Sequence, residues 1–181
     1  MSKITLIKGQ ESINRTKELL GPVWSINSTE NSYPKKQGPF MFSGEGSTIS
    51  SHIVKIIRSC QEKLLISTQN LSDASVINAI ANAVINQGVN VYLLVDSQGF
   101  ESMLSNNLCK QLLGEVLLRE RKNRGLDVVL SDWHLPTKEG LLLSSPLDGT
   151  LQSVTKNWAM ELSKTQIDEF SAHIQHEFWS E

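Results

Sequence analysis

The sequence has little cysteine, little excess charge and no long apolar run. Cys60 and Cys109 are its two cysteines in 181 residues, and both fall at apolar positions of predicted helices. Thiols so placed read as core groups, so a disulfide framework is not expected and a reducing compartment is. The formal net charge is -2. That excludes a strongly basic surface overall, and nucleic acid would have to bind through a local patch. No apolar stretch approaches the roughly 18 residues of a membrane span, and the opening MSKITLIKGQ lacks the apolar centre of a secretory signal. These absences together predict a cytoplasmic protein with no membrane partner. The length and a hydrophobic content of 39% suit one core plus an appendage.

The stretch from Lys63 to Ser97 reads as strand, helix, strand. Leu64 to Ile66 and Tyr92 to Val95 are short unbroken apolar runs, which suit strands covered on both faces. Between them Ser72 or Asp73 can cap a helix carrying Val76, Ile77, Ile80 and Val84 on one face, and Gly88 stops it. The unit is βαβ. Its first strand ends in Ser67, Thr68, Gln69 and Asn70, where open α/β sheets place ligands. The plainer reading of those four residues is a solvated loop.

Upstream, Ile4, Leu6 and Ile7 suit an edge strand, Ile13 to Leu20 a short helix, and Val23 to Ile26 a strand. Asn27 to Gly38 has the composition of a loop. Residues 1–46 thus read as an arm or appendage, with Trp24, Tyr33 and Phe40 as aromatics that either anchor a partner or pack onto the parent domain. A helix starts at Ser47 or Thr48 with Ile49, Ile53, Ile56, Ile57 and Cys60 on one face. His52 lies beside that face and is assigned no role.

After the second strand, Met103, Leu104, Leu108, Leu112, Leu113, Val116 and Leu117 trace an amphipathic helix, interrupted near Gly114. Its end carries Arg119, Arg121, Lys122 and Arg124. Cations at a helix C-terminus complement the dipole; the functional reading is contact with a nucleic-acid backbone. Leu126 to Leu130 and Gly140 to Ser144 complete the predicted strands. A capping box of Ser163 and Gln166 opens a last helix bearing Ile167, Phe170, Ile174 and Phe178. His173 and His176 lie three apart on it, but two ligands without a companion make no metal site, so neither metal nor cofactor is expected.

The pattern VYLLVDS, LLLSSPLD, NWAMEL and the closing EFSAHIQHEFW resembles the phospholipase D superfamily over about Ser47 to Glu181. The resemblance implies an α/β lobe at 47–181, with a mixed, largely parallel sheet flanked by helices. In that family two lobes meet. Each brings a His-x-Lys motif with an aspartate five residues after the lysine, and a GSxN-like turn whose Ser and Asn hold phosphate oxygens. One histidine attacks phosphorus and the other protonates the leaving oxygen, without metal. His134 and Lys138 are the catalytic candidates here, and Ser144, Ser145, Asn157 and Glu161 the phosphate-binding ones. The pattern departs at several points. His134 and Lys138 stand four apart, Pro136 occupies the position two before Lys138, Leu143 stands five after it, and the turn has no asparagine.

Three functions follow. The first is a catalytically degenerate lobe, a binding or assembly module pairing with itself or with a second phospholipase D-like lobe and contacting nucleic acid. The alternative is a dimeric, metal-independent phosphodiesterase of nuclease type with His134 as nucleophile. The third is a plain nucleotide- or nucleic-acid-binding domain using Ser67 to Asn70 and the basic run.

Overall fold

The computed structural model describes residues 36–42, 48–122, 125–148 and 157–180. In chain order these form β1 (Lys36–Gln37), β2 (Phe40–Phe42), α1 (Thr48–Ser59), β3 (Lys63–Thr68), α2 (Ala74–Gln87), β4 (Asn90–Asp96) and α3 (Ser97–Ser105). A 3-10 turn follows (Cys109–Leu112), then β5 (Leu117–Arg121), β6 (Asp127–Ser131), β7 (Glu139–Leu143), β8 (Trp158–Glu161) and α4 (Lys164–Trp179). The elements expected upstream of Tyr33, with Trp24 and Tyr33 themselves, lie outside the described residues.

The eight strands make one sheet in the order β1-β2-β8-β7-β6-β3-β4-β5. It is mixed, as expected, but its parallel part is confined to β3, β4 and β5, and every other pairing is antiparallel. The three strands β6, β3 and β4, all read from apolar runs, are neighbours at the centre. Alternation of side chains along each strand divides the core into two layers. Leu64, Ile66, Leu93, Val95 and Val129 meet Ile49, Ile53, Ile57, Ile77, Ile80 and Met103 of α1, α2 and α3 on one face. Leu65, Leu94, Val128 and Leu130 meet Ile167, Phe170, Ile174 and Phe178 of α4 on the other. Covering on both faces explains why the central strands are apolar at successive residues.

Local signals operate where they were read. Asp73, rather than Ser72, caps α2 by accepting from the N–H groups of Ser75 at 2.8 Å and Val76 at 3.1 Å. Gly88 ends that helix with a φ of 70°, and the Val89 N–H reaches the Ala83 carbonyl at 3.0 Å. The Ser163 and Gln166 capping box forms as expected at α4.

Three expectations are corrected. Residues 36–42, counted with the arm, are strands of the sheet, because β2 pairs with β8 and Phe40 packs edge-on against Trp158 at 5.9 Å. Residues 158–161 were not read as a strand and form β8, whose four residues carry too short a pattern to read alone. The helix drawn through Leu117 is three elements. Asn106 Oδ1 accepts from the Leu108 N–H at 2.9 Å after α3, Gly114 turns with a φ of 90°, and Leu117–Arg121 pairs along the open edge of β4. Backbone pairing with β4 made the strand and outweighed the helical spacing.

Candidate functional site

Every central strand has two ends, and the candidate residues divide between them. Antiparallel pairing of β3 with β6 and of β6 with β7 places Thr68, Asp127 and Leu143 at one end of the sheet. Lys63, Ser131 and Glu139 lie at the other.

The first end holds a buried polar cluster built on Asp127, the first residue of β6. Its Oδ1 accepts from Thr68 Oγ1 and from the Gln69 N–H, both at 2.8 Å, and its Oδ2 accepts from Gln69 Nε2 at 2.7 Å. Burial pushes the Asp127 carboxyl above the ordinary range, and those hydrogen bonds with the Arg121 charge offset only part of the rise. Arg121, at the end of β5, is buried beside it. Its Nε lies 2.6 Å and its Nη2 2.5 Å from Asp96 Oδ1, and its Nη1 donates to Ser67 Oγ at 2.6 Å. Glu177 of α4 approaches Nη1 at 3.7 Å. The chain passes over this guanidinium at Gly125, where a Cβ would stand 1.8 Å from Nη1. A side chain there would have to displace the Arg121 guanidinium from its place.

The turn after β7 closes the same end. Ser144 Oγ accepts from the Trp158 N–H at 2.8 Å, which sets Asn157 beside it at the start of β8. The Leu147 N–H donates to Thr68 Oγ1 at 3.2 Å. Ser145 Oγ and Asn70 Oδ1 are buried at this edge and meet no hydrogen-bond partner among the described residues.

His134 and Lys138 belong to the opposite end. They lie in two successive turns, closed by the Leu135 N–H on the Asp132 carbonyl at 2.7 Å and the Lys138 N–H on the Leu135 carbonyl at 3.2 Å. His134 Nε2 is 2.8 Å from Glu62 Oε2, and Lys138 Nζ donates to the Asp168 carboxylate. Asp132 organises this end. Held at a φ of 44°, it accepts from the N–H groups of Gln61 at 2.8 Å, Glu62 at 2.9 Å and Lys63 at 3.0 Å, and so caps the passage from α1 into β3. Burial alone would raise its carboxyl, but the N–H bonds from Lys63, Gln61 and Glu62 outweigh that and hold it below the ordinary range. The neighbouring Cys60 thiol is pushed up to about 12 by burial and by the Asp132 charge, so it is an inert core group.

The six phosphodiester candidates are therefore not brought together. Lys138 and Ser144 are six residues apart along an extended strand, or about 20 Å at about 3.3 Å per residue. Ser144, Ser145 and Asn157 share the Asp127 end. Glu161 closes the other end of β8, where its Oε1 lies 3.4 Å from His52 Nε2. The basic run divides too. Arg121 is buried, Arg119 stacks over Phe178 at 5.8 Å, Lys122 is exposed, and Arg124 lies outside the described residues. No group of three or more potential metal ligands occurs among the described residues, and no described helix is long and apolar enough to cross a membrane.

Sequence reasoning named Ser67 to Asn70 at this edge but missed Asp96, Asp127 and Arg121 as its charged partners, and missed Asp132 as the organiser of the opposite end. A signal was present in DVVLSD, an apolar run bounded by aspartates five apart.

No family model and no curated protein matches the sequence. Solved structures do. Nuc from Salmonella typhimurium, a phospholipase D family member, is similar at a TM-score of 0.61 and 13% identity, over 77% of this chain and 93% of that one. NucT from Helicobacter pylori gives 0.60 and 15%, over 76% and 92%. The archaeal chromatin protein TrmBL2, described with a novel mode of DNA binding, gives 0.54 and 14%, over 92% of this chain and 60% of that one. With β6, β3 and β4 adjacent and helices on both faces of the sheet, the chain has the fold of the phospholipase D family member Nuc.

Proposed function

We propose that this chain is a catalytically silent phospholipase D-like lobe that works as a binding or assembly module, pairing with its own copy or with another lobe. The separation of His134 and Lys138 from Ser144, Ser145 and Asn157 by the length of β7 carries this reading. One phosphodiester cannot touch both groups, and a misplacement of about 1 Å already costs on the order of a hundredfold in rate.

A different register of the family motif supports the same conclusion. Asp132 follows Asp127 by five residues, as the family aspartate follows its lysine. On that register Gly125 stands for the histidine and Asp127 for the lysine, at the same end as the serines. A nucleophile has been exchanged for glycine, with Arg121 packed where its side chain would go. A phosphate-holding cation has been exchanged for a carboxylate, which supplies its own anion to the Thr68 and Gln69 donors. Nucleic acid, if bound, meets the outer residues Arg119 and Lys122 rather than this cluster.

The test is incubation of the purified chain, without metal, with single- and double-stranded DNA, RNA and a simple phosphodiester, beside His134→Ala. No turnover by either protein is expected. Turnover that disappears in His134→Ala overturns the silent lobe and makes His134 the nucleophile.

A further inference from the structure

One hydroxyl at the Asp127 end has more acceptors than protons. Thr68 Oγ1, buried at the end of β3, lies 2.9 Å from the Asn70 carbonyl and 2.8 Å from Asp127 Oδ1, and it accepts from the Leu147 N–H at 3.2 Å. A threonine hydroxyl carries a single proton and two lone pairs. With Asp127 ionised, that proton serves one acceptor and leaves the other facing an oxygen at hydrogen-bond distance. With Asp127 protonated at Oδ1, every group is matched. The acid donates to Thr68, the hydroxyl donates to the Asn70 carbonyl, and its two lone pairs serve Asp127 and Leu147. The Gln69 N–H and Nε2 donate to the carboxyl in either state.

The charges at this end favour the second proton. The charged and titratable groups on the elements packed here are Asp96 of β4, Arg121 of β5, Glu177 of α4, Asp73 at the start of α2 and Asp148 after β7. Arg121 directs its guanidinium to Asp96, Ser67 and Glu177 rather than to Asp127. Asp73 accepts from the N–H groups of Ser75 and Val76 and from the Ser50 hydroxyl. Asp127 itself is buried, and burial holds its carboxyl above the ordinary range.

We propose that Asp127 and Thr68 form a proton switch that ties the 70–73 loop to the end of β3 when the carboxyl is protonated and releases it on ionisation. On ionisation the proton leaves to solvent and the Thr68 hydroxyl turns from the Asn70 carbonyl to the carboxylate. That carbonyl then loses the one donor it has among the described residues. The loop also carries the Leu71 bridge to Leu147 and the Ser72 and Asp73 N–H bonds to the Leu147 carbonyl, so the switch acts on the contact between the chain after β3 and the turn after β7. Ser145 and Asn70 bring their partnerless oxygens to the same contact. Low pH closes this edge and rising pH loosens it, independently of the pairing reading above.

The experiment follows the isotope-labelled full chain by NMR across pH. The expected result is an Asp127 carboxyl carbon that titrates above its ordinary 3.8, and a Leu71 amide, bonded to the Asn70 carbonyl carbon, that shifts with the same midpoint. Protection of the Ser72 and Asp73 amides, corrected for the intrinsic pH dependence of exchange, should fall about fivefold above that midpoint, the effect of one net hydrogen bond. Thr68→Ser should keep both steps. Thr68→Val, which retains the shape without the hydroxyl, should leave Asp127 titrating while Leu71 stands still. Circular dichroism identifies a variant that misfolds, and the wild-type titration decides without any variant. An Asp127 carboxyl that titrates at or below 3.8, or one that Leu71 does not follow, overturns the switch. A Leu71 step that survives in Thr68→Val overturns Thr68 as its carrier.

Discussion

The two ends of the central strands solve the same problem differently. At the Asp127 end, three carboxyl groups from β4, β6 and α4 gather around one buried guanidinium from β5. At the Asp132 end, one carboxylate satisfies three backbone N–H groups of a single turn, while His134 and Lys138 pair with carboxylates that are more than half exposed. Charge is committed to packing at the first end and to a local cap at the second. Neither end leaves a histidine and a lysine free to share a phosphate.

Removing Arg121 should break the contrast most. Arg121→Met strands Asp96 and Asp127 in a buried site, and loss of one partner of a buried ion pair costs about 3–5 kcal/mol. Urea unfolding should show that loss with an unchanged dependence on denaturant. Asp132→Ala comes next, at about 3 kcal/mol, because it frees three N–H groups and places a Cβ residue without a polar side chain at a positive φ.

The two aspartates should also respond to pH with opposite signs. Asp132 has a folded pKa below its ordinary 3.8, so its contribution is present above that value and is lost as pH falls through the folded one. The deficit of Asp132→Asn against wild type should therefore shrink on acidification. Asp127 has a folded pKa above 3.8, so its ionisation opposes folding, and the associated stability is present below 3.8 and lost as pH rises through the folded value. Wild type should therefore gain on Asp127→Asn as pH falls. Melting curves of both variants between neutral pH and pH 3 check the signs, and parallel curves would remove the distinction between the two ends.

The smallest effects belong to the surface pairs. His134→Ala and Lys138→Ala should each cost less than about 1 kcal/mol, the usual size for exposed ion pairs. A larger loss in either would mean that the turns between β6 and β7 depend on those side chains as well as on Asp132.

Much of the fold was legible because its signals are local. The Asp73 cap, the Gly88 stop, the Ser163 and Gln166 box and the apolar runs of β3, β4 and β6 each act within a few residues, and each appears where it was read. β5 and β8 were not legible. Their strand character comes from the neighbouring edges of β4 and β7, which the sequence of either strand does not mention. Of the site, Ser67 to Asn70 were placed correctly at the end of β3, since position after a parallel strand is a matter of chain order.

By itself the sequence determined which segments are apolar on one face or both, where helices begin and stop, and hence a phospholipase D-like order of elements. Tertiary structure alone decided which end of the sheet each polar residue occupies. Antiparallel pairing reverses direction at every hairpin, so two residues six apart, such as Lys138 and Ser144, finish at opposite ends of a strand. Two residues fifty-nine apart, Thr68 and Asp127, finish within a hydrogen bond.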